Sequence, residues 1–171
     1  MMEGGSRPPE SDIRALAEGD VPAAWALEAA GYPPEEAASL ERLECRQREA
    51  GELFLGHFID NKLIGFVCGT RSFADHLTES SMGVHEAAGT TVCIHSVCVD
   101  SAWRRQGVAL GLLRRYVESV PQTRPAVRRF CLISHRHLLP LYAKAGFEMV
   151  GPSSVTHGAE AWYECVIDLS E

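Results

Sequence analysis

The chain has 171 residues, the size of one domain with one hydrophobic core. Its apolar fraction of 46% is that of a globular protein, and no apolar run approaches the length that spans a bilayer. A formal net charge of −7 speaks against a nucleic-acid partner, whose footprint is basic; it fits solubility alone or a cationic small substrate.

Met1 to Glu10 is rich in Gly, Pro and Ser and lacks the apolar core of a signal peptide. It reads as a disordered tail ahead of a single domain over 11–171, in a protein expected to be cytoplasmic and without membrane contact. Ser11 to Ala15 reads as a first strand. Asp20 is placed to cap a helix running to about Ala30, with Gly31 as its stop. The Tyr32-Pro33-Pro34 corner is read as the entry to a second helix from Glu35 to about Ala50. Leu53–Phe58 and Leu63–Arg71 read as strands around the hairpin turn Ile59-Asp60-Asn61-Lys62. Ser72 to Thr90 has no clear period and reads as a loop holding at most one helical turn.

Thr91 to Val99 is a buried strand by its apolar run. Val108, Leu112, Leu113, Tyr116, Val117 and Val120 then recur at helical spacing and give one buried stripe. Val127–Ile133 reads as a strand, Leu138–Ala145 as a short helix closed by Gly146, and Phe147–Val150 and Ala161–Leu169 as final strands. The order β-α-α-β-β-β-α-β-α-β-β fits a mixed α/β sheet with helices on both faces. The six cysteines are scattered, with no C-x-x-C pair. Buried free thiols are expected, with no disulfide framework and no metal site.

The sharpest signal lies between that central strand and the helix after it. Arg104-Arg105-Gln106-Gly107-Val108-Ala109 is a glycine-containing turn at a helix start, where several backbone N–H groups lack an intrahelical partner and the dipole adds positive charge. Arg104 and Arg105 add full charges. The order R-x-x-G-x-A resembles the acyl-CoA pyrophosphate loop of the GCN5-related N-acetyltransferases. The G-x-x-x-x-G-K-[ST] order of a nucleotide loop is absent.

Further segments carry the same resemblance in the same order. They include Ile94-His95-Ser96-Val97-Cys98-Val99, Leu113-Arg114-Arg115-Tyr116, Pro125-Ala126-Val127-Arg128-Arg129, Leu139-Pro140-Leu141-Tyr142, Gly146-Phe147 and Gly151-Pro152. Within the family the likeness is to the arylalkylamine N-acetyltransferases, whose substrate loop resembles Gly31-Tyr32-Pro33-Pro34-Glu35-Glu36-Ala37-Ala38-Ser39. The vertebrate members carry two histidines, two apart, where this chain has Cys93 and His95. The resemblance is therefore to the non-vertebrate type, a monomer without a phospho-dependent regulatory partner.

The resemblance implies an acyl-CoA N-acyltransferase fold: a mixed, mostly antiparallel sheet with helices on both faces. It implies acetyl-CoA as co-substrate, held by backbone groups of Val97, Cys98 and Val99 and by Arg104, Arg105, Gln106, Gly107, Val108, Ala109 and Leu110, with Tyr142 beside it. It also implies that Tyr142 protonates the leaving thiolate. An amide near Val97 is the candidate donor to the thioester carbonyl.

The amine is the harder problem. A primary alkylamine titrates near ~10, so on the order of 0.1% is neutral at physiological pH, a scarcity worth about 4 kcal/mol. His95 has the pKa range of a base, and by period two it shares a face with Cys93 and Val97. The alternative is a packed core histidine. Cys93 is a candidate to line the same water path. Trp162 is either an aromatic wall for the acceptor or core packing, and Tyr32 and Pro33 are candidates for its lid. His135 and His137 flank Arg136 in what reads as a solvated turn, with no third ligand for a metal.

These readings favour acetyl transfer to an arylalkylamine of the serotonin, tryptamine or phenethylamine type, by direct attack in a ternary complex. Two alternatives stay open: a polyamine or other small amine as acceptor, and an acyl-CoA-binding module without turnover.

Overall fold

The computed structural model describes residues 10–155 and 160–169; the predicted tail over 1–10 lies outside them except for Glu10. Seven strands form one sheet in the order β1-β2-β3-β4-β5-β7-β6. They are β1 (Ser11–Ala15), β2 (Phe54–Ile59), β3 (Lys62–Ser72), β4 (Thr91–Val99), β5 (Arg129–Ser134), β6 (Glu148–Pro152) and β7 (Tyr163–Asp168). Helices α1 (Val21–Gly31), α2 (Leu40–Glu49), α3 (Glu79–Gly83), α4 (Val108–Thr123) and α5 (Leu139–Lys144) connect them. Every neighbouring pair of strands is antiparallel except β4 and β5.

The two faces carry separate cores. The α4 stripe (Val108, Leu112, Leu113, Tyr116, Val120) packs on Ile64, Val67, Val92, Ile94 and Phe130. On the other face Val21 and Ala24 of α1 and Leu43 of α2 pack on Phe54, Phe66, Cys68 and Cys98. The expected helix-sheet-helix layering is what these contacts describe. The β2–β3 hairpin turns at Asp60 and Asn61, whose φ of 49° and 65° match the left-handed pair that suits a right-twisted ribbon.

The second helix starts later than the Pro-Pro corner suggested. Ser39 accepts from the backbone N–H of Arg42 at 3.1 Å and caps α2, which begins at Leu40. The N–H groups of Glu36 and Ala37 both bond the Pro33 carbonyl, so 33–38 is a turn segment instead of helix. Asp20 precedes α1 but turns its carboxylate back to the Ala17 N–H, at 2.9 Å. Inside 72–90 the predicted single turn is α3, closed by a capping box between Thr78 and Ser81.

Two irregularities of β4 build the site. Its ladder with β5 covers only Thr91 to Cys93; beyond Cys93 the parallel strands diverge. Its ladder with β3 steps from Cys68↔Ser96 to Gly69↔Ile94, which leaves His95 as an extra, bulged residue. A bulge re-aims side chains and is frequent beside active sites. It also breaks the period-two expectation. Val97 packs with Val92 and Ile94 on the α4 face, whereas Cys93 packs with Leu77 and Cys131 on the other, so Cys93, His95 and Val97 do not form one row.

Candidate active site

The divergence of β4 and β5 opens a groove of about 640 Å³ between β4, the α4 N-terminus and α5. Val97, Cys98, Val99, Arg104, Arg105, Gly107, Val108, Ala109, Leu110, Leu141 and Tyr142 line it. A smaller cavity of about 50 Å³ lies behind, lined by Glu28, Glu36, His95, Ser96, Leu132 and Trp162 among others. Tyr32, Val97 and Tyr142 line both, so the two spaces meet there.

The groove is built for an anion at one end. Arg105 and Gly107 both lie in the left-handed region, with φ of 63° and 78°. This winding brings successive backbone N–H groups to a concave surface at the start of a sixteen-residue helix. A Cβ at Gly107 would meet nothing within 4 Å, so glycine is there for its backbone conformation and the open approach it leaves. Gln106 turns away and donates to the Ala102 carbonyl at 3.4 Å; it does not line the groove.

At the junction the Tyr32 hydroxyl lies 3.3 Å from both the amide nitrogen and the carbonyl oxygen of Val97. These Val97 groups face the gap, where no strand pairs with them. Tyr142 is 6% exposed, its ring edge-on to Phe147 at 5.9 Å between centroids. Burial, then the nearby Cys98 and Cys165 thiols, hold its phenol well above its ordinary range, so it stays protonated.

His95 comes with a partner that sequence reading did not find. Thr70 on β3 donates its hydroxyl proton to the Ser81 carbonyl at 3.0 Å and lies 2.8 Å from His95 Nε2. A hydroxyl has one proton, so Thr70 accepts from an Nε2–H. The tautomer is fixed: Nδ1 carries the lone pair, is buried and has no hydrogen-bond partner in the protein. Burial first, and then the Arg46 and Arg42 guanidiniums, hold the imidazole well below its ordinary pKa. His95 is thus held neutral on the wall of the cavity.

Two carboxylates line the cavity, and neither was foreseen. Glu28 is 2% exposed; its oxygens accept from the Ala38 N–H at 2.9 Å and from the Cys98 thiol at 3.5 Å. Glu36 accepts from His135 Nε2 at 2.8 Å. His135 is 8% exposed, with its ring centroid 3.8 Å from that of Trp162, so it is packed, whereas Arg136 and His137 of the same turn are exposed as expected. The cause is a pairing across 99 positions, invisible to local pattern. Cys93 and Pro33 line neither space: Cys93 faces Cys131, with sulfurs 3.5 Å apart. Among the described residues no group of three or more His, Cys, Asp or Glu is arranged to hold a metal ion, and no helix is long and apolar enough to cross a membrane.

A strand splayed from its parallel neighbour, with a helix N-terminus and a small cavity at the opening, is the arrangement that positions the site. The chain belongs to the acetyltransferase (GNAT) domain family, whose sequence model matches residues 28–162. It is 36% identical to the serotonin N-acetyltransferase of Mesocricetus auratus over 118 residues, which is 69% of this chain and 56% of that protein. The chain thus spans about half the length of such relatives. In fold it matches the loading GNATL domain of CurA from Lyngbya majuscula with a TM-score of 0.83, at 13% identity over 94% of this chain and 98% of that one. The GphF GNAT-like decarboxylase, solved with isobutyryl-CoA, matches with a TM-score of 0.78, at 18% identity over 93% of this chain and 100% of that one.

Proposed function

We propose that the chain transfers the acetyl group of acetyl-CoA to the primary amine of an arylalkylamine, in a ternary complex and without a covalent enzyme intermediate. The observation that carries this reading is the junction at Tyr32, Val97 and Tyr142, where an anion-binding groove meets a cavity walled by Trp162 and His95. The pyrophosphate takes the backbone N–H groups from Gly107 to Leu110, with Arg104 and Arg105 at the rim. The pantetheine arm lies along the unpaired edge of β4, and the Val97 N–H supports the thioester oxygen as it gains charge.

The amine nitrogen reaches the thioester carbon from the cavity. His95 Nδ1, closed off in the free protein, is uncovered on binding so that the amine donates to it and is oriented, and the proton the amine loses leaves through water. Attack forms the C–N bond, the C–S bond breaks with its electron pair on sulfur, and Tyr142 protonates the thiolate. Burial that raises the phenol also raises the basicity of a thiolate formed at the same place, so the transfer remains matched.

The acceptor preference follows from which cavity groups are already engaged. Carboxylates facing a pocket favour a polyamine, but both Glu28 oxygens and one Glu36 oxygen already accept from the protein. Trp162 and the apolar Leu77, Met82, Ile94, Leu132 and Ile133 supply much of the remaining wall and favour an aryl group. The test is a mass-spectrometric product screen with acetyl-CoA against tryptamine, serotonin, phenethylamine, spermine and lysine. Acetylated tryptamine or phenethylamine well ahead of spermine supports the reading. Spermine ahead replaces it with a polyamine acceptor, and no product from any amine with CoA still bound leaves a binding module.

A further inference from the structure

His135 sits directly behind two walls of the acceptor cavity. Its Nε2 meets Glu36 Oε1 at 2.8 Å. Its Nδ1 meets the Ala161 carbonyl at 3.3 Å and Glu160 Oε2 at 3.4 Å. Both ring nitrogens therefore face only acceptors. A neutral imidazole would turn a lone pair on one of these oxygens, so the arrangement calls for two N–H donors and a positive ring. That ring lies on Trp162, centroid to centroid 3.8 Å, where a cation is favoured by the indole face. The side chains of His135 and Glu36 are 10% and 7% exposed, so water screens the pair little.

We propose that His135 is a positioning residue for the acceptor amine: as an imidazolium clamped between Glu36 and Trp162, it fixes the 32–38 segment and the indole as facing walls of the cavity. The inference rests on the acetyl-transfer reading for the identity of what binds, and on geometry alone for the clamp.

Among the described residues, side-chain hydrogen bonds anchor the segment at three points. Tyr32 is held on Val97, Ala38 on Glu28, and Glu36 on His135. The first is at the groove and the second is at the foot of α2. Only the third crosses from the segment to the strand β5 side of the cavity, so only it sets the width between Glu36 and Trp162.

The clamp is also sensitive to pH. Burial alone would lower the His135 pKa, but the hydrogen bond to Glu36, the Ala161 carbonyl and the charges of Glu36 and Glu160 outweigh it and hold the value raised. His137 stacks on it with ring centroids 6.0 Å apart, and Arg136 beside it extends over Tyr163. A raised folded-state pKa means the clamp is intact below the ordinary histidine value of about 6.5 and is lost as pH rises through the higher folded-state value.

Two variants and two readouts test this. His135→Ala removes the clamp; His135→Gln keeps a donor for Glu36 but cannot titrate. The first readout is hydrogen exchange of the peptide covering 32–39, in the full chain without substrates. A protection factor, taken against the intrinsic exchange rate at each pH, roughly tenfold lower in His135→Ala at pH 6, with the wild-type factor falling towards that value at alkaline pH and the His135→Gln factor independent of pH, is expected. The second is steady-state kinetics with the best amine and acetyl-CoA. His135→Ala is expected to raise the amine KM about tenfold with the acetyl-CoA KM unchanged. The wild-type to His135→Gln ratio of amine KM should rise with pH, because ionisation of the amine itself cancels in that ratio. Equal exchange in wild type and His135→Ala overturns the clamp. Changed exchange with an unchanged amine KM overturns its role in positioning. If no amine is acetylated the proposed function has failed, and the exchange comparison still decides the clamp.

Discussion

The Tyr32 hydroxyl occupies both backbone groups of Val97, 3.3 Å from its nitrogen and 3.3 Å from its oxygen. Those are the groups that the pantetheine arm and thioester are proposed to use. The phenol and acetyl-CoA therefore compete for one hydrogen-bonding edge. Tyr32→Phe removes the competing contact and is expected to tighten acetyl-CoA binding about threefold, the scale of one long neutral hydrogen bond. Calorimetric titration of both proteins with acetyl-CoA measures it. Weaker binding in the variant would show instead that Tyr32 helps hold the ligand.

Thr70 and His95 form a unit in which the threonine dictates the tautomer. Thr70→Val leaves Nε2–H without its acceptor and lets the proton move to Nδ1, where the acceptor role fails. We expect kcat to fall about tenfold in Thr70→Val and roughly a hundredfold in His95→Ala, with the His95 loss greatest at low pH, where neutral amine is scarcest. The double variant should be no slower than His95→Ala, since the two act as one. Additive losses from rapid-quench turnover would separate the residues.

The same histidine predicts how stability follows acidity. Its folded pKa is depressed by burial and by Arg46 and Arg42, so below the unfolded value the unfolded chain binds a proton that the native state refuses. Stability attributable to His95 is present above about 6.5 and falls as pH drops through the window below it, by up to roughly 1.4 kcal/mol per pH unit. Urea midpoints of wild type and His95→Gln between pH 7 and 5 should converge as pH falls. Parallel curves would contradict the burial of Nδ1.

Tyr142→Phe tests the acid. A loss of about a hundredfold in kcat, with the acetyl-CoA dissociation constant unchanged, is expected. Because the phenol is held above its ordinary range, wild-type activity should show no limb from Tyr142 below about pH 9. Unchanged turnover in the variant removes the assignment.

Gly107→Ala places a side chain at φ 78° with no neighbour to clash with. The cost is backbone strain alone, about 1–2 kcal/mol, read as a fall in Tm of roughly 2–8 °C. A larger fall would mean that the Cβ meets something. Acetyl-CoA affinity should fall by more than the stability loss explains, because the methyl stands where the pyrophosphate approaches.

Much of this was legible locally. The α4 stripe, the β4 run and the Arg104–Ala109 turn each announce themselves within a dozen residues, because helical period, strand burial and a glycine N-cap are short-range chemistry. The α2 start was misread for a related reason: Pro33-Pro34 is a sound helix entry by itself, and only the Ser39 cap and the pairing of Glu36 with a distant histidine decide against it. What stayed illegible is what the sheet brings together. Thr70 reaches His95 only because the two strands pair in one register, and a one-residue bulge that no local signal marks turns His95 to it. Glu28, Glu36 and His135 come from three separated segments, and a charged residue in each looks like surface.

The short ladder between β4 and β5 has a consequence for folding as well as chemistry. With only Thr91, Val92 and Cys93 paired, the middle of the sheet is left one strand short, and the backbone of Val97 makes do with a phenol. An extended ligand laid along that edge, as the proposed acetyl-CoA would be, would supply the missing rung-and-rail pattern and so contribute part of the protein's secondary structure. Saturation should therefore raise cooperativity across the seam, making two half-sheets melt as a single unit.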